Sequence, residues 1–337
     1  MLERSRYEGP RVGEHLTPDT QPLLESLGLW ERFRAGSHRP STGVSAAWGS
    51  DRLNQLDYLF SIYGTGWNLD RAQFDLMLAD AAVAAGTELI IGARLVSLEQ
   101  SDERWRARMV GGARGDERLR ARFLVDATGR AAAVARRLGS ERRVIDELLA
   151  LCAWLSPGPS TDRETERLLV EAVDAGWWYA AGLPGGRRVA VFLSDRDFLP
   201  HGAAAARLAW TQGLARARHV QALLDGCDSP ETFRLRAANS YILEPLTGPR
   251  WLAVGDAASA LDPLSSMGIL KSLLSGMRAA SAIARCLAGD DADVAAYAEH
   301  EAREFTRYLG ERRQLYGRER RWPDHPFWRR RQLGQPA

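Results

Sequence analysis

The stretch from Trp251 to about residue 288 carries the strongest chemical signal in the sequence. The apolar run Trp251-Leu252-Ala253-Val254 stops at Gly255-Asp256. A loop through Pro263, Ser265, Ser266, Met267 and Gly268 follows, and a helical pattern then begins. A strand feeding a turn and a helix start exposes backbone N–H groups at the positive end of the helix dipole. Phosphate or an electron-rich ring suits such a place. Asp256, at the carboxyl end of the strand, can accept hydrogen bonds from sugar-like hydroxyls. An ordinary strand–loop–helix turn would use the same residues, and the spacing does not choose between the two. Asp126-Ala127-Thr128-Gly129 repeats the theme more weakly, because a strand ending in Asp and Gly often marks only a crossover.

Other reactive side chains are sparse. Trp177, Trp178 and Tyr179 share one strand-like segment. They could wall a dry substrate site or fill a sheet core. Trp48 and Trp67 read as core packing. Cys152, Cys227 and Cys286 are the only cysteines and show no CxxC or metal spacing. They read as core thiols of a reducing cytoplasm, and no metal site is expected. His15, His38, His201 and His219 have no evident partner and read as surface or loop residues. Of the 45 basic residues only Lys271 is a lysine, which removes amine chemistry everywhere else. The excess of arginine over lysine reflects GC-rich coding.

The elements that must position these groups show in the periodicity. A first helix is expected from Asp19 or Thr20 to Gly28, with Pro22 in its first turn. A second is capped by Asp70, carries Phe74, Met77, Leu78, Ala81 and Ala85, and ends at Gly86. Residues 36–66 look loop-rich. Strands at 88–91, 94–100 and 105–110 lead through a Gly-rich turn to 119–126. Strands at 148–155, 177–183, 188–195 and 233–242 predict a mostly antiparallel sheet, interrupted by a helix over 203–224. After the 251–254 strand come a helix over 269–287, stopped by Gly289, and a basic helix from Val294 to about Arg321. Residues 332–337 read as a frayed tail.

With 337 residues, roughly two lobes of about 150 residues are expected. Apolar residues make up 45% and charged residues 26%, enough for an ordinary core and unlike a disordered chain. A formal net charge of +2 argues against a dedicated nucleic-acid binder. No apolar run reaches the roughly 18 residues of a membrane span, and no secretory signal opens the chain. A cytoplasmic protein is expected. The arginines from 312 to 331 read as a solvated helix face or as a docking surface for an acidic protein partner.

Taken in order, the segments carry a resemblance. Glu3…Arg11-Val12-Gly13-Glu14, Gly64-Thr65-Gly66-Trp67-Asn68-Leu69-Asp70-Arg71…Phe74-Asp75, Asp126-Ala127-Thr128-Gly129, Gly176-Trp177-Trp178-Tyr179…Leu183-Pro184 and Gly255-Asp256-Ala257…Asp262-Pro263-Leu264-Ser265-Ser266-Met267-Gly268-Ile269 form the set. It resembles the group A flavoprotein monooxygenases, and within them the tryptophan-halogenase-like branch. That branch includes LodB- and GoxB-like flavoproteins that hydroxylate a peptidyl tryptophan during tryptophylquinone biogenesis. Glu319-Arg320-Arg321-Trp322-Pro323…Phe327-Trp328 fits the same branch.

The resemblance implies an α/β (α+β) fold. A Rossmann-like FAD/NAD(P)-binding domain (1–45, 67–147 and 245–290) would carry an antiparallel-sheet substrate domain (46–66 and 148–244) and a C-terminal helical segment (291–331). It implies FAD as cofactor, with NAD(P)H or a reduced flavin as electron donor and a flavin reductase as a conceivable partner. Glu3 would bind the adenosine ribose, and Arg11 would lie near the phosphates. Asp126 and Gly129 would form a second FAD fingerprint. Gly255 and Asp256 would meet the ribityl or pyrophosphate side, and Pro263, Ser266, Met267 and Gly268 would pass beside the flavin ring.

The pattern departs from the family in one place. The opening strand and GxGxxG loop of such proteins have no counterpart here, so the Rossmann-like unit reads as incomplete at its N-terminus and flavin retention as weakened or lost. Family halogenases also use a lysine and a WxWxIP signature. No lysine precedes Asp126, and Trp177-Trp178-Tyr179 runs on to Gly182-Leu183-Pro184. Halogenation is therefore disfavoured. The expected activity is hydroxylation of an aromatic, tryptophan-derived or peptidyl-tryptophan substrate through a flavin hydroperoxide, with Trp177, Trp178, Tyr179 and Lys271 at the reacting end. Lys271, a cation near a helix start, would face an anionic reduced flavin or a substrate carboxylate, or lie on a solvated face. A halogenase, a reductase and a non-catalytic remnant that binds a protein partner remain the alternatives.

Overall fold

A computed structural model describes residues 1–101, 104–158, 166–199, 202–230 and 233–332. His201 and residues 333–337 of the expected tail lie outside them. Gln332 is ordered as the last residue of a helix, Pro326–Gln332.

Two short parallel strand pairs mark the Rossmann-like part. Leu2–Glu3 runs parallel to Ile90–Ile91, and Leu124–Asp126 runs parallel to Trp251–Ala253. Beside them a three-stranded antiparallel sheet joins Ala93–Ser101, Arg104–Gly111 and Glu117–Ala121. The helix Arg71–Ala84 begins at the expected cap, where the Asp70 carboxylate accepts from the amides of Ala72 and Gln73.

The largest sheet among the described residues has seven strands. Its spatial order is Phe233–Ala237, Leu148–Leu155, Arg188–Asp195, Gly176–Gly182, Arg167–Val173, Gly43–Ala47 and Asn54–Asp57. Three of these strands differ from the sequence expectation. Arg167–Val173 was not marked by alternation, because six of its seven residues are buried on both faces. Gly43–Ala47 and Asn54–Asp57 come from the stretch read as loop. Their small and polar side chains give little signal, and their place is fixed by pairing, Gly43–Ala47 running parallel to Arg167–Glu171. The expected strand 233–242 is two strands. Tyr241–Glu244 leaves the large sheet and pairs with Glu141–Val144. The expected helix over 203–224 breaks into Ala203–Leu214 and Arg218–Leu224.

Side chains alternate across this sheet. Trp177 packs on one face with Tyr316, Phe327 and Trp328. Trp178 packs on the other with Phe192, Trp210 and Val220, beneath the two helices. The helix Gly268–Leu287 packs against Ala292–Gly317. The chain then returns through Pro326–Gln332, whose Phe327 and Trp328 are fully buried.

The basic C-terminal stretch is only partly solvated: Arg313, Arg318, Arg320 and Arg329 are exposed, while others are paired within the fold. Arg312 and Arg331 are buried. Arg331 pairs with Asp195, Arg330 with Asp195 and Asp197, and Arg321 with Glu319. Asp195 and Asp197 are distant in sequence, which is why Arg330 and Arg331 looked unpaired, whereas Glu319 is a near neighbour of Arg321. His15 and His38 are likewise buried, not surface residues.

Candidate active-site cleft

The two strand ends singled out in the sequence are neighbours. Asp126 is in register with Ala253, and the Val254 amide donates to the Asp126 carbonyl at 3.0 Å. Beyond the turn, Arg130 Nε lies 3.7 Å from Asp256 Oδ2. The carboxylates differ in what they do. Asp126 is fully buried. Its Oδ1 accepts from the Thr128 amide (2.9 Å) and hydroxyl (2.7 Å), and its Oδ2 from the amides of Val134 (2.9 Å) and Ala135 (2.8 Å). It therefore shapes the 126–135 turn and does not face a ligand. Gly129, at φ +61°, follows with open space where a Cβ would stand. Thr128 Oγ1 also accepts from the Ala133 amide at 2.7 Å. Thr128→Val is expected to cost about 1–2 kcal/mol in urea unfolding, by leaving that amide and one carboxylate oxygen short of a partner.

A cleft of about 350 Å³ lies next to this turn. Its walls are Val12–His15, the face of the 71–84 helix carrying Arg71, Phe74, Asp75 and Leu78, the sheet residues Trp177 and Tyr179, and the segment from Asp256 to Leu273. Of the residues singled out earlier, Trp177, Tyr179, Asp256, Pro263, Ser266, Met267 and Gly268 line it together. Trp178 does not, because it points to the opposite face of the sheet and is fully buried there. Glu3 and Arg11 lie outside the cleft wall in a linked cluster. Glu3 Oε1 accepts from the Ser5 amide at 2.6 Å, and Arg11 donates to Ser5 Oγ at 2.8 Å and to Asp75 Oδ2 at 2.7 Å. Asp75 also receives Arg71 at 3.1 Å, so the cluster reaches the cleft through one carboxylate.

Gly255 is not in the wall either. It turns the chain at φ +55°, and a Cβ there would meet Ser272 Oγ at 3.0 Å. The Lys271 ammonium braces this turn from behind. It donates to the Gly255 carbonyl at 2.8 Å and to the Ser259 carbonyl. Burial pushes its pKa down to about 8, against the pull of Asp256 and Glu301. Lys271 therefore faces backbone carbonyls and a separate small pocket beside Glu301, not the cleft.

The turn 262–268 is held from below. Asp262 is buried. Its Oδ1 accepts from the Leu264 amide at 3.0 Å, and its Oδ2 from Tyr316 OH at 2.8 Å and Arg312 Nε at 3.2 Å. Its amide donates to Tyr308 OH at 2.7 Å. Tyr316 OH in turn accepts from Trp177 Nε1 at 3.0 Å. One wired network thus joins the cleft turn, the aromatic sheet wall and the long C-terminal helix. Ser266 in the left-handed region (φ 52°) brings the chain to Gly268, which opens the twenty-residue helix with no side-chain cap. Its first amides have no partner in the helix and start at an exposed glycine in the cleft wall.

The sequence reading missed one site residue. Glu14 lines the cleft wall and is 2% exposed. Its Oε2 accepts from Tyr179 OH at 3.2 Å, and its Oε1 has no partner. Burial pushes its pKa up to about 7, opposed by backbone donation, Arg71 and Tyr179. Next to it, His15 Nδ1 lies 3.0 Å from Asn68 Oδ1 and Nε2 lies 2.9 Å from Tyr58 OH, and burial lowers its pKa. Among the described residues no group of His, Cys, Asp and Glu is placed to hold a metal ion, and no helix is long and apolar enough to cross a membrane.

Comparison with known proteins agrees with this geometry. The sequence profile of the family described as FAD binding domain matches residues 2–310. The chain is 30% identical over 335 residues to LodB of Marinomonas mediterranea, named as an FAD-dependent oxidoreductase, covering 98% of this chain and 89% of LodB. It is 25% identical to a tryptophan 2-halogenase of Chondromyces crocatus, covering 86% of this chain but only 57% of that protein. Among solved structures it is similar to the peptidyl tryptophan dihydroxylase QhpG, described as essential for tryptophylquinone cofactor biogenesis. That likeness has a TM-score of 0.80, 26% identity, and coverage of 98% of this chain and 72% of QhpG.

Proposed function

We infer, from the premise that the chain belongs to the FAD binding domain family and so to the FAD-dependent oxidoreductases, that it is a monooxygenase hydroxylating an aromatic ring. The observation that carries this reading is the cleft itself. Bare amides at a helix start lie on one side, and an aromatic wall with a single polar tip, Tyr179, lies on the other.

The residues present fit a flavin. A Cβ on Gly268 would stand in open space, so the backbone there is free to be approached. The volume, about 350 Å³, suits a flat fused-ring group. Asp256, Pro263, Ser266, Met267 and Gly268 would hold the ring and its polyol chain. Glu3 and Arg11 would face the nucleotide end, and Asp126, Gly129 and Gly255 would set the turns. When bound, FAD supplies oxygen activation. The chain's own part is to hold the ring against the helix start, keep water off it with Trp177, Phe74 and Leu273, and orient the substrate. In this reading residues 46–66 and 148–244 form the substrate lobe, and 1–45, 67–147 and 245–290 the flavin lobe. Residues 291–331 brace both.

The substrate class follows the relatives' printed activities and the cleft's chemistry: an indole, free or carried on a peptide. The lone lysine faces away from the cleft, bonded to two carbonyls, which disfavours a halogenase.

The test is direct. Purified protein is titrated with FAD and followed by flavin absorbance. It is then supplied with NAD(P)H or a separately reduced flavin, oxygen, chloride and bromide, and a tryptophan-containing peptide. Uptake of FAD and product heavier by one or two oxygen atoms is expected. A halogenated product, or no FAD uptake, would sink the reading. Omitting each donor in turn identifies the electron source.

A further inference from the structure

We propose that the Tyr179 hydroxyl is the polar contact for the ring N–H of an indole substrate, and that Glu14 is the positioning residue that turns the hydroxyl's lone pairs toward the cleft. This rests on the hydroxylase reading and adds to it a basis for choosing among aromatic rings.

The argument begins with which atoms are reachable. Tyr179 and Glu14 both line the cleft, but Tyr179 is half-buried, whereas Glu14 is 2% exposed, its Oε1 shielded from solvent and its Oε2 accepting from Tyr179. A tyrosine hydroxyl has one hydrogen and two acceptor lone pairs. With its hydrogen given to Glu14 Oε2 at 3.2 Å, it can only accept from the cleft side. The rest of the sheet wall there is Trp177, whose Nε1 is committed to Tyr316, together with aliphatic residues such as Ala150, Leu168 and Val170. An aromatic ring lying on this wall thus meets an apolar surface with one acceptor. Indole satisfies that acceptor with its N–H. A ring without a donor leaves it buried and unpaired, which is the costly arrangement and hence the discriminating one.

Glu14 also makes the contact reversible. Its ionised carboxylate accepts the tyrosine hydrogen. Once protonated it can donate to the tyrosine oxygen, and the hydroxyl then presents its hydrogen, not a lone pair, to the cleft. Burial places this change near pH 7. Other titratable and charged groups face the pair from several elements. Arg71 reaches it from the 71–84 helix, and burial raises the pKa of the Cys152 thiol and lowers that of His15. Asp75, Asp256, Arg130 and Arg236 also line the cleft.

The experiment compares dissociation constants of indole and 1-methylindole for the FAD-loaded protein, at about pH 8.5 and about pH 5.5, by calorimetry. One hydrogen bond to a buried acceptor is worth about tenfold in affinity. We expect indole to bind about tenfold tighter at the higher pH and the two rings to bind within about twofold at the lower. Tyr179→Phe, which keeps the ring and its packing, should abolish the preference at both pH values. Glu14→Gln should make it independent of pH. Retained flavin absorbance shows that each variant is folded. Equal binding of the two rings by the unaltered protein at both pH values, or a preference that survives Tyr179→Phe, would overturn the assignment while leaving the hydroxylase reading intact. If the FAD-loaded protein bound neither ring, the indole reading and this assignment would both fall.

Discussion

Asp262→Ala is expected to lower the unfolding free energy by about 3–5 kcal/mol and to loosen the flavin-side turn. The carboxylate is buried and accepts from the Leu264 amide, Tyr316 OH and Arg312 Nε. Removing it leaves an arginine with 9% exposure next to a hole. Arg312 Nη2 still lies 3.0 Å from Asp146 Oδ2, so part of the charge stays compensated and the loss is kept from being larger. Tyr316 would also lose the acceptor that sets its hydroxyl, and through it the partner of Trp177 Nε1. The damage should therefore reach the aromatic wall as well as the turn. Urea unfolding at neutral pH measures the first effect, and intrinsic tryptophan fluorescence of the folded variant the second. A loss under about 1 kcal/mol would show that the network is incidental. In the double variant Asp262→Leu, Arg312→Met, part of the stability should return, because replacing both members of a buried pair avoids the stranded charge.

This network bears on how far the sequence could be read. The motif residues 255–268 were legible because a strand, a turn and a helix start are local events. Gly255 is marked by a backbone demand that glycine meets most readily, at φ +55° and close to Ser272. The convergence of residues 126 and 256 was legible too, since parallel strands in such a fold deliver their carboxyl ends to one edge. What held the turn was not legible. Asp146, Tyr308, Arg312 and Tyr316 come from segments separated by up to 170 residues and carry no shared period. The same long range hid the partners of Arg330 and Arg331. Trp178 is a different case, for its misplacement was avoidable. Side chains alternate in a strand, so Trp177 and Tyr179 had to share a face and Trp178 had to oppose them. Glu14 lies in the Arg11-Val12-Gly13-Glu14 segment, but one carboxylate after a glycine has no local mark. Burial beneath residues distant in sequence, with Arg71 and Tyr179 beside it, is what changes its chemistry.

That change should be measurable as stability. Glu14→Gln is expected to make the protein more stable than the unaltered chain at about pH 8, by about 2–3 kcal/mol, with the difference shrinking toward about pH 5. The folded-state pKa is about 7, where an ordinary glutamate has 4.5. Between those values the folded protein holds a proton that the unfolded chain has released. Folding is then helped by acid: this group's contribution is fully present below pH 4.5 and declines as the pH rises to about 7. Above that, the folded state carries a buried carboxylate on which desolvation is the largest influence. Glutamine keeps the shape, stays neutral throughout and still offers Tyr179 an acceptor, so the pH-dependent part disappears. Other carboxylates titrate in both proteins, and the quantity to measure is therefore the difference between the two unfolding free energies at each pH, from urea curves. Parallel curves with no pH-dependent gap would mean that Glu14 is better solvated than its surroundings indicate. A gap of the expected sign would mean that the fold sustains, at the cleft wall, a carboxylate it would be more stable without. Such a carboxylate is retained for what it does to Tyr179 and not for holding the fold together.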